Sequence, residues 1–117
     1  CGRTGCLEAW LAVPRLEAHL AAAETPEAKD ALRRQVGHYL GAALSPLVVT
    51  LGLSDIAVSG PDHLIDGPLL EATRETIGSR ILPLLYRDLD VRLAEPGDDN
   101  RLRGAMILVL AEVLGIT

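Results

Sequence analysis

The sequence predicts an α/β domain, helix-rich, with a small and mainly parallel sheet. Three observations carry this expectation. Two short runs, Asp55–Ser59 and Leu89–Leu93, have the apolar content and alternation of strands, and Pro68–Leu82 between them has helical periodicity. A strand, a helix and a strand in that order imply a parallel pair joined by a right-handed crossover. The remaining apolar residues recur mostly at three- and four-residue intervals, which is the spacing of helix faces. Finally, 49% of the 117 residues are hydrophobic but only 3% are aromatic, with no Phe, so the core is built from Leu, Ala, Val and Ile.

Leu7, Trp10 and Leu11 open the chain with one helical turn, and Pro14 is placed to begin a second helix. Leu16, His19, Leu20 and Ala23 mark the apolar face of that second helix. Thr25-Pro26 starts a third, with Thr25 as its N-cap. Its stripe runs through Leu32, Val36, Tyr39, Leu40, Ala43, Leu47 and Leu51, with Pro46 expected to kink or interrupt it. Gly37, Gly41 and Ser45, four apart, would let another backbone come close. That small-residue stripe, together with the apolar excess, also suggests association between copies of the chain.

The first strand closes at Gly60-Pro61, and the following helix presents Leu70, Thr73, Ile77 and Ile81 on one face. A last helix begins near Asn100, N-capped from Asp98-Asp99, and carries Leu102, Met106, Val109, Leu110 and Val113. Parallel strands want both faces covered, and two strands alone are marginal. More strands are therefore expected from an upstream segment or another chain. On this reading residues 1–117 form a single partial domain.

Composition narrows the function. The formal net charge is −5, which argues against this segment being a nucleic-acid surface. The longest nearly uncharged run, Tyr39–Ser54, is too short to span a membrane and contains Pro46. No signal-peptide pattern opens the chain. Two cysteines are too few for a disulfide scaffold, which points to a reduced, cytoplasmic chain. No phosphate loop, nucleophile elbow or paired-histidine zinc helix is present.

The most specific stretch is Cys1-Gly2-Arg3-Thr4-Gly5-Cys6-Leu7-Glu8. Taken alone, its two cysteines are either reduced thiols or half of a four-ligand zinc site. His19 follows at a finger-like distance, but Ala23, Glu24 and Thr25 occupy the place of a second histidine. His19 therefore reads as a satisfied, partly buried histidine on an apolar helix face. Glu8 reads either as a carboxylate favoured in the first turn of a helix or as an acceptor for ligand hydroxyls. His38 and His63 are isolated. The pairs Arg33-Arg34 and Arg101/Arg103 read as solvated helix faces.

Cys1–Glu8 resembles the end of the C-x-C-G-x-x-G-C-x-E signature of the ROK family of repressors, open reading frames and sugar kinases. Ala9-Trp10 extends the match. His38–Leu44, Asp55–Gly60 and Val91–Leu110 resemble that family's long helix, its strand before a glycine turn, and its final strand, loop and helix. The resemblance implies part of the C-terminal lobe of an actin-like, ribonuclease-H-like sugar-kinase fold. It implies that Cys1 and Cys6 are two of four zinc ligands in the intact protein, the others lying upstream. It also implies that Glu8 accepts hydrogen bonds from sugar hydroxyls.

Kinases of the family carry a glycine-rich turn where this chain has Ser59-Gly60-Pro61. Pro61 has no N–H to offer a phosphate, so a simple turn and no ATP binding are expected. The function this implies is the effector-sensing and oligomerisation region of a transcriptional repressor, with a sugar or sugar phosphate as effector, and not an enzyme. DNA would be bound only by an upstream helix-turn-helix domain. The alternatives are a fragment of an ATP-dependent sugar kinase and a helical protein-interaction module.

Overall fold

The computed structural model describes residues 2–95 and 100–115. In chain order the elements are α1 (Glu8–Leu11), α2 (Val13–Ala22), α3 (Pro26–Leu51), β1 (Asp55–Val58), α4 (Asp62–Ile65), α5 (Pro68–Arg80), α6 (Pro83–Arg87), β2 (Asp90–Leu93) and α7 (Asn100–Leu114). The architecture is α/β and helix-rich. β1 and β2 pair in parallel, with Asp55 opposite Asp90 and Val58 opposite Leu93. The short helices α4 and α6 have no counterpart in the sequence expectations.

α3 is the longest element. Thr25 sits in extended conformation before it and its hydroxyl oxygen accepts from Ala28 N at 3.1 Å. That bond satisfies one of the donors a helix start leaves open. Thr25→Ala should therefore lower stability by about 1 kcal/mol, whereas Thr25→Ser should retain most of it. The midpoint of urea unfolding measures both, and equal midpoints for wild type and Thr25→Ala would remove the cap from the account. At the other end Gly52 turns left-handed at φ 63°, and the N–H groups of Gly52 and Leu53 both reach Val48 O. A positive φ costs glycine little, so the helix stops there.

Between these ends α3 corrects two expectations. Pro46 does not interrupt the helix, which continues to Leu51. The residue is exposed, so the carbonyl that its missing N–H leaves open can be solvated. The buried face is also different from the predicted stripe. Leu47 and Leu51 are exposed, while Val36, Gly37, Gly41, Ser45 and Val48 are buried.

The cause is α5, which lies against the smallest side chains of α3. A Cβ on Gly37 would collide with the carbonyl oxygen of Leu69. One on Gly41 would lie 2.7 Å from Thr76 Cβ and 2.8 Å from Thr73 O. The small-residue stripe is thus covered within the chain by a second helix, and it is not a surface for another copy.

Polar groups in this contact are satisfied. The Thr73 hydroxyl lies 2.9 Å from Leu69 O and 3.2 Å from Gly37 O, bridging the two helices with one proton. Ser45 Oγ donates to Gly41 O at 2.7 Å. Burying a hydroxyl is tolerated when it is bonded in this way. The predicted face of α5 is the observed one: Leu70, Thr73, Ile77 and Ile81 are all buried.

Two apolar clusters flank this helix pair. One joins Leu16 and Leu20 of α2 to Val36, Leu64, Ile65 and Leu69. The other joins Val48, Leu70, Ile77, Ile81 and Val91. The sheet rests on the second cluster through Ile56, Val58, Val91 and Leu93. Its other face holds Asp55, Ala57, Asp90 and Arg92, all exposed.

On that face Arg92 forks onto Asp55, with Nε and Nη2 each 3.0 Å from a carboxylate oxygen. That hydrogen bonding, with the attraction of the Asp55 charge, holds the guanidinium above its ordinary pKa. The expectation that both faces of the pair are covered is therefore not met, because the outer face is polar and hydrated. Ladder bonds from Asp90 N to Ser54 O and from Ala94 N to Val58 O leave the groups of Val91 pointing away from β1. Val91 O accepts instead from Arg74 Nε at 2.6 Å, which closes part of an otherwise open strand edge.

α7 forms as expected, but its apolar face is not buried. Leu102, Met106, Val109 and Val113 are each 59–74% exposed. Among the described residues no helix is long and apolar enough to cross a membrane.

Candidate functional site

The segment before α1 turns at Thr4-Gly5, with Gly2 at φ 71° and Gly5 at φ 122°. Both values lie in the region that favours glycine. α1 is a single turn that begins at Glu8 and ends at Ala12, where the backbone is extended at φ −57° and ψ 129°. That residue also opens α2, and Arg15 N and Leu16 N both bond back to Ala12 O. The corner at Ala12 lets the first turn of α2 line the same cleft as the start of α1.

The cleft has a volume of about 310 Å³, and Gly2, Arg3, Thr4, Glu8, Pro14 and Arg15 are among its lining residues. That is at the lower end of roughly 300–1,000 Å³ for small-ligand sites, a size suited to a monosaccharide. Its chemistry is mixed. Glu8 offers only acceptors, Arg3 and Arg15 only donors, and Thr4 both. A polyol matches such a wall, because each hydroxyl donates to a carboxylate and accepts from a guanidinium. Four residues align few peptide dipoles, so the helix-end reason for a carboxylate at Glu8 is small here.

α1 has a second side. Residues two apart on a helix do not face each other, so Trp10 is turned away from Glu8. It lines a separate cleft of about 430 Å³ with Leu7, Tyr39, Ala42 and Ala43. Trp10 stacks on His19 with ring centroids 5.0 Å apart and meets Tyr39 at 5.4 Å. His19 is half-buried, as expected, but it is not satisfied: its buried Nδ1 has no hydrogen-bond partner among the described residues. A further cleft, about 580 Å³, lies along α7 between Leu102, Met106 and Val109. It offers little polar chemistry.

Of the predicted zinc ligands, Cys6 is half-buried beside the Gly5 turn and Cys1 lies outside the described residues. Among the described residues no three His, Cys, Asp or Glu side chains converge. They do not fit a closed zinc site, which needs four ligands.

Ser59-Gly60-Pro61 carries the chain from β1 into α4, with Pro61 as the residue before the helix. The position of a Cβ on Gly60 is occupied by the end of the Ile65 side chain.

The remaining sequence candidates sit apart from these clefts. Arg34 pairs with Glu71 and Glu75 on a solvated face of α3 and α5, as expected, whereas Arg33 pairs with Asp30 but is half-buried, and its buried Nε has no hydrogen-bond partner among the described residues. His38 Nδ1 meets Thr76 Oγ1 at 3.1 Å, and His63 Nε2 lies 3.9 Å from Glu17. Asp98 and Asp99, expected to cap α7, lie outside the described residues, as does the side chain of Arg101.

Sequence reasoning missed that Arg3 and Arg15 line one cleft with Glu8, and that Tyr39 meets the Trp10 ring. Arg15 belongs to a different helix from Glu8, and only the bend at Ala12 unites them. Compared with protein families, curated proteins and solved structures, the chain finds no match.

Proposed function

We propose that this chain is the sugar-effector-sensing region of a ROK-type transcriptional repressor, part of the C-terminal lobe of an actin-like fold. It binds a sugar without turning it over and works in the cytoplasm with further copies of itself. An upstream helix-turn-helix domain contacts DNA. The observation that carries the reading is the cleft in which Glu8 of the signature lies with Arg3, Thr4 and Arg15. An acidic carboxylate faced by donors suits a ligand whose groups both donate and accept. The net charge of −5 suits a domain that leaves DNA to another part of the protein.

Glu8→Gln keeps the shape and removes the charge. A hydrogen bond to a charged group contributes roughly 1.5–3 kcal/mol, so sugar affinity should fall about ten- to a hundredfold. Titration calorimetry with monosaccharides measures this, and circular dichroism should show the variant folded. Equal affinity in wild type and variant would assign Glu8 to the helix start alone.

A further inference from the structure

We infer that α7 is a pairing surface for a second copy of this chain, whose own α7 docks antiparallel along Leu102, Met106, Val109 and Val113. This rests on the reading above only for the expectation that copies associate. The four residues recur at intervals of four, three and four, the spacing of a seam between two helices. Leu110 flanks the seam, and all five side chains are 46–74% exposed. A helix of 15 residues is marginal in water without a packing partner. The small-residue face of α3, where the sequence suggested that copies meet, is already filled by α5.

Area, symmetry and charge each favour a second copy. The five side chains expose on the order of 500 Å² per copy, so pairing them buries about 1,000 Å², the lower limit for a specific interface. Contacts of that size hold dissociable dimers. The seam is also self-complementary, as a two-fold contact requires. With the axis between residues 107 and 108, Leu102 of one copy lies level with Val113 of the other, and Met106 level with Val109. Each layer then sets a longer side chain against a shorter, β-branched one. Within α7 the basic residues, Arg101 and Arg103, fall in the first turn and the acid, Glu112, in the last. Antiparallel pairing brings the acidic residue and negative dipole end of one helix beside the basic end of the other. Parallel pairing would collect like charges at both ends.

Sedimentation of the whole chain across a range of concentrations, in reductant so that cysteines cannot cross-link copies, tests this. The wild type should pass from monomer to dimer in the micromolar range. Met106→Glu and Val109→Glu each place an unpaired carboxylate in the seam, and should weaken association at least about tenfold. Leu51→Glu, at a position on α3 that is 65% exposed, should leave association unchanged. Circular dichroism should show all three variants folded. Arg103→Glu should weaken the dimer at low salt, and adding Glu112→Arg should restore it.

A dimer that survives both Met106→Glu and Val109→Glu overturns pairing through α7 and leaves self-association standing. Arg103→Glu without effect, or without rescue by Glu112→Arg, overturns the antiparallel alignment. A wild type that stays monomeric throughout overturns both the α7 contact and the association of copies, whereas sugar binding is read separately by calorimetry.

Discussion

Gly37→Ala should destabilise the protein by about 3 kcal/mol, although the same change in an exposed helix ordinarily stabilises by up to about 1 kcal/mol. The sign is decided by contact. The added methyl would meet the carbonyl oxygen of Leu69, a backbone atom inside α5 that has no rotamer to escape into. α3 and α5 must then separate. Separation would stretch the Thr73 bridge to Gly37 O and loosen Val36 and Leu69, both fully buried.

At this chain length the loss corresponds to a fall in Tm of about 10 °C. Gly104→Ala in α7 is the control, because nothing lies near the position of its Cβ. It should leave the main transition in place and raise helicity slightly. A Gly37→Ala protein as stable as wild type would show that the helices do not touch at Gly37.

The other large effect belongs to Ile77. Its side chain is wholly buried at the centre of the cluster formed with Val48, Leu70, Ile81 and Val91. Helices close on one side and the sheet on the other leave little room for collapse. Ile77→Ala should therefore cost about 3–4 kcal/mol, combining lost transfer energy with a residual cavity. Leu82→Ala removes a similar volume from a side chain that is 69% exposed, and should change stability by less than about 0.5 kcal/mol. Urea unfolding with equal slopes for the variants would make the comparison valid. Similar midpoints for the two would mean that Ile77 does not organise this core.

The two strands and α5 were legible because their side chains alternate or recur with the element's own period. Leu70, Thr73, Ile77 and Ile81 step by three and four, and all four are buried. α3 was harder to read. Hydrophobicity favoured Leu47 and Leu51, whereas the buried seam follows Gly37, Gly41 and Ser45, whose merit is small size. No scale of apolarity ranks glycine as a core residue, so the close approach of α5 decided the face.

The sheet shows the reverse error. Asp55, Asp90 and Arg92 alternate with apolar residues, as in a strand pair hydrated on one side. That alternation is the mark of a one-sided sheet, and it prevails here over the general tendency of parallel strands to be covered on both faces. Around the candidate site, Glu8 was legible through the signature it completes. Arg15 became its neighbour through a backbone bend at Ala12 that has neither Gly nor Asn to announce it.

The fork between Arg92 and Asp55 has a consequence beyond its modest energy. The register sets two carboxylates, Asp55 and Asp90, directly opposite each other. Like charges so placed oppose pairing. Arg92 reaches both, at 3.0 Å and 4.0 Å, and turns that repulsion into a bridge. A slip of one residue would swap the faces of a strand and drive Asp90 and Arg92, or Asp55, into the apolar layer over Ile77 and Val91. Correct alignment is thus specified twice, by shape on the inner face and by charge on the outer one. Four-residue strands supply few ladder bonds with which to choose a partner alignment, and this pair is proofread by the three charged side chains that contribute nothing to its core.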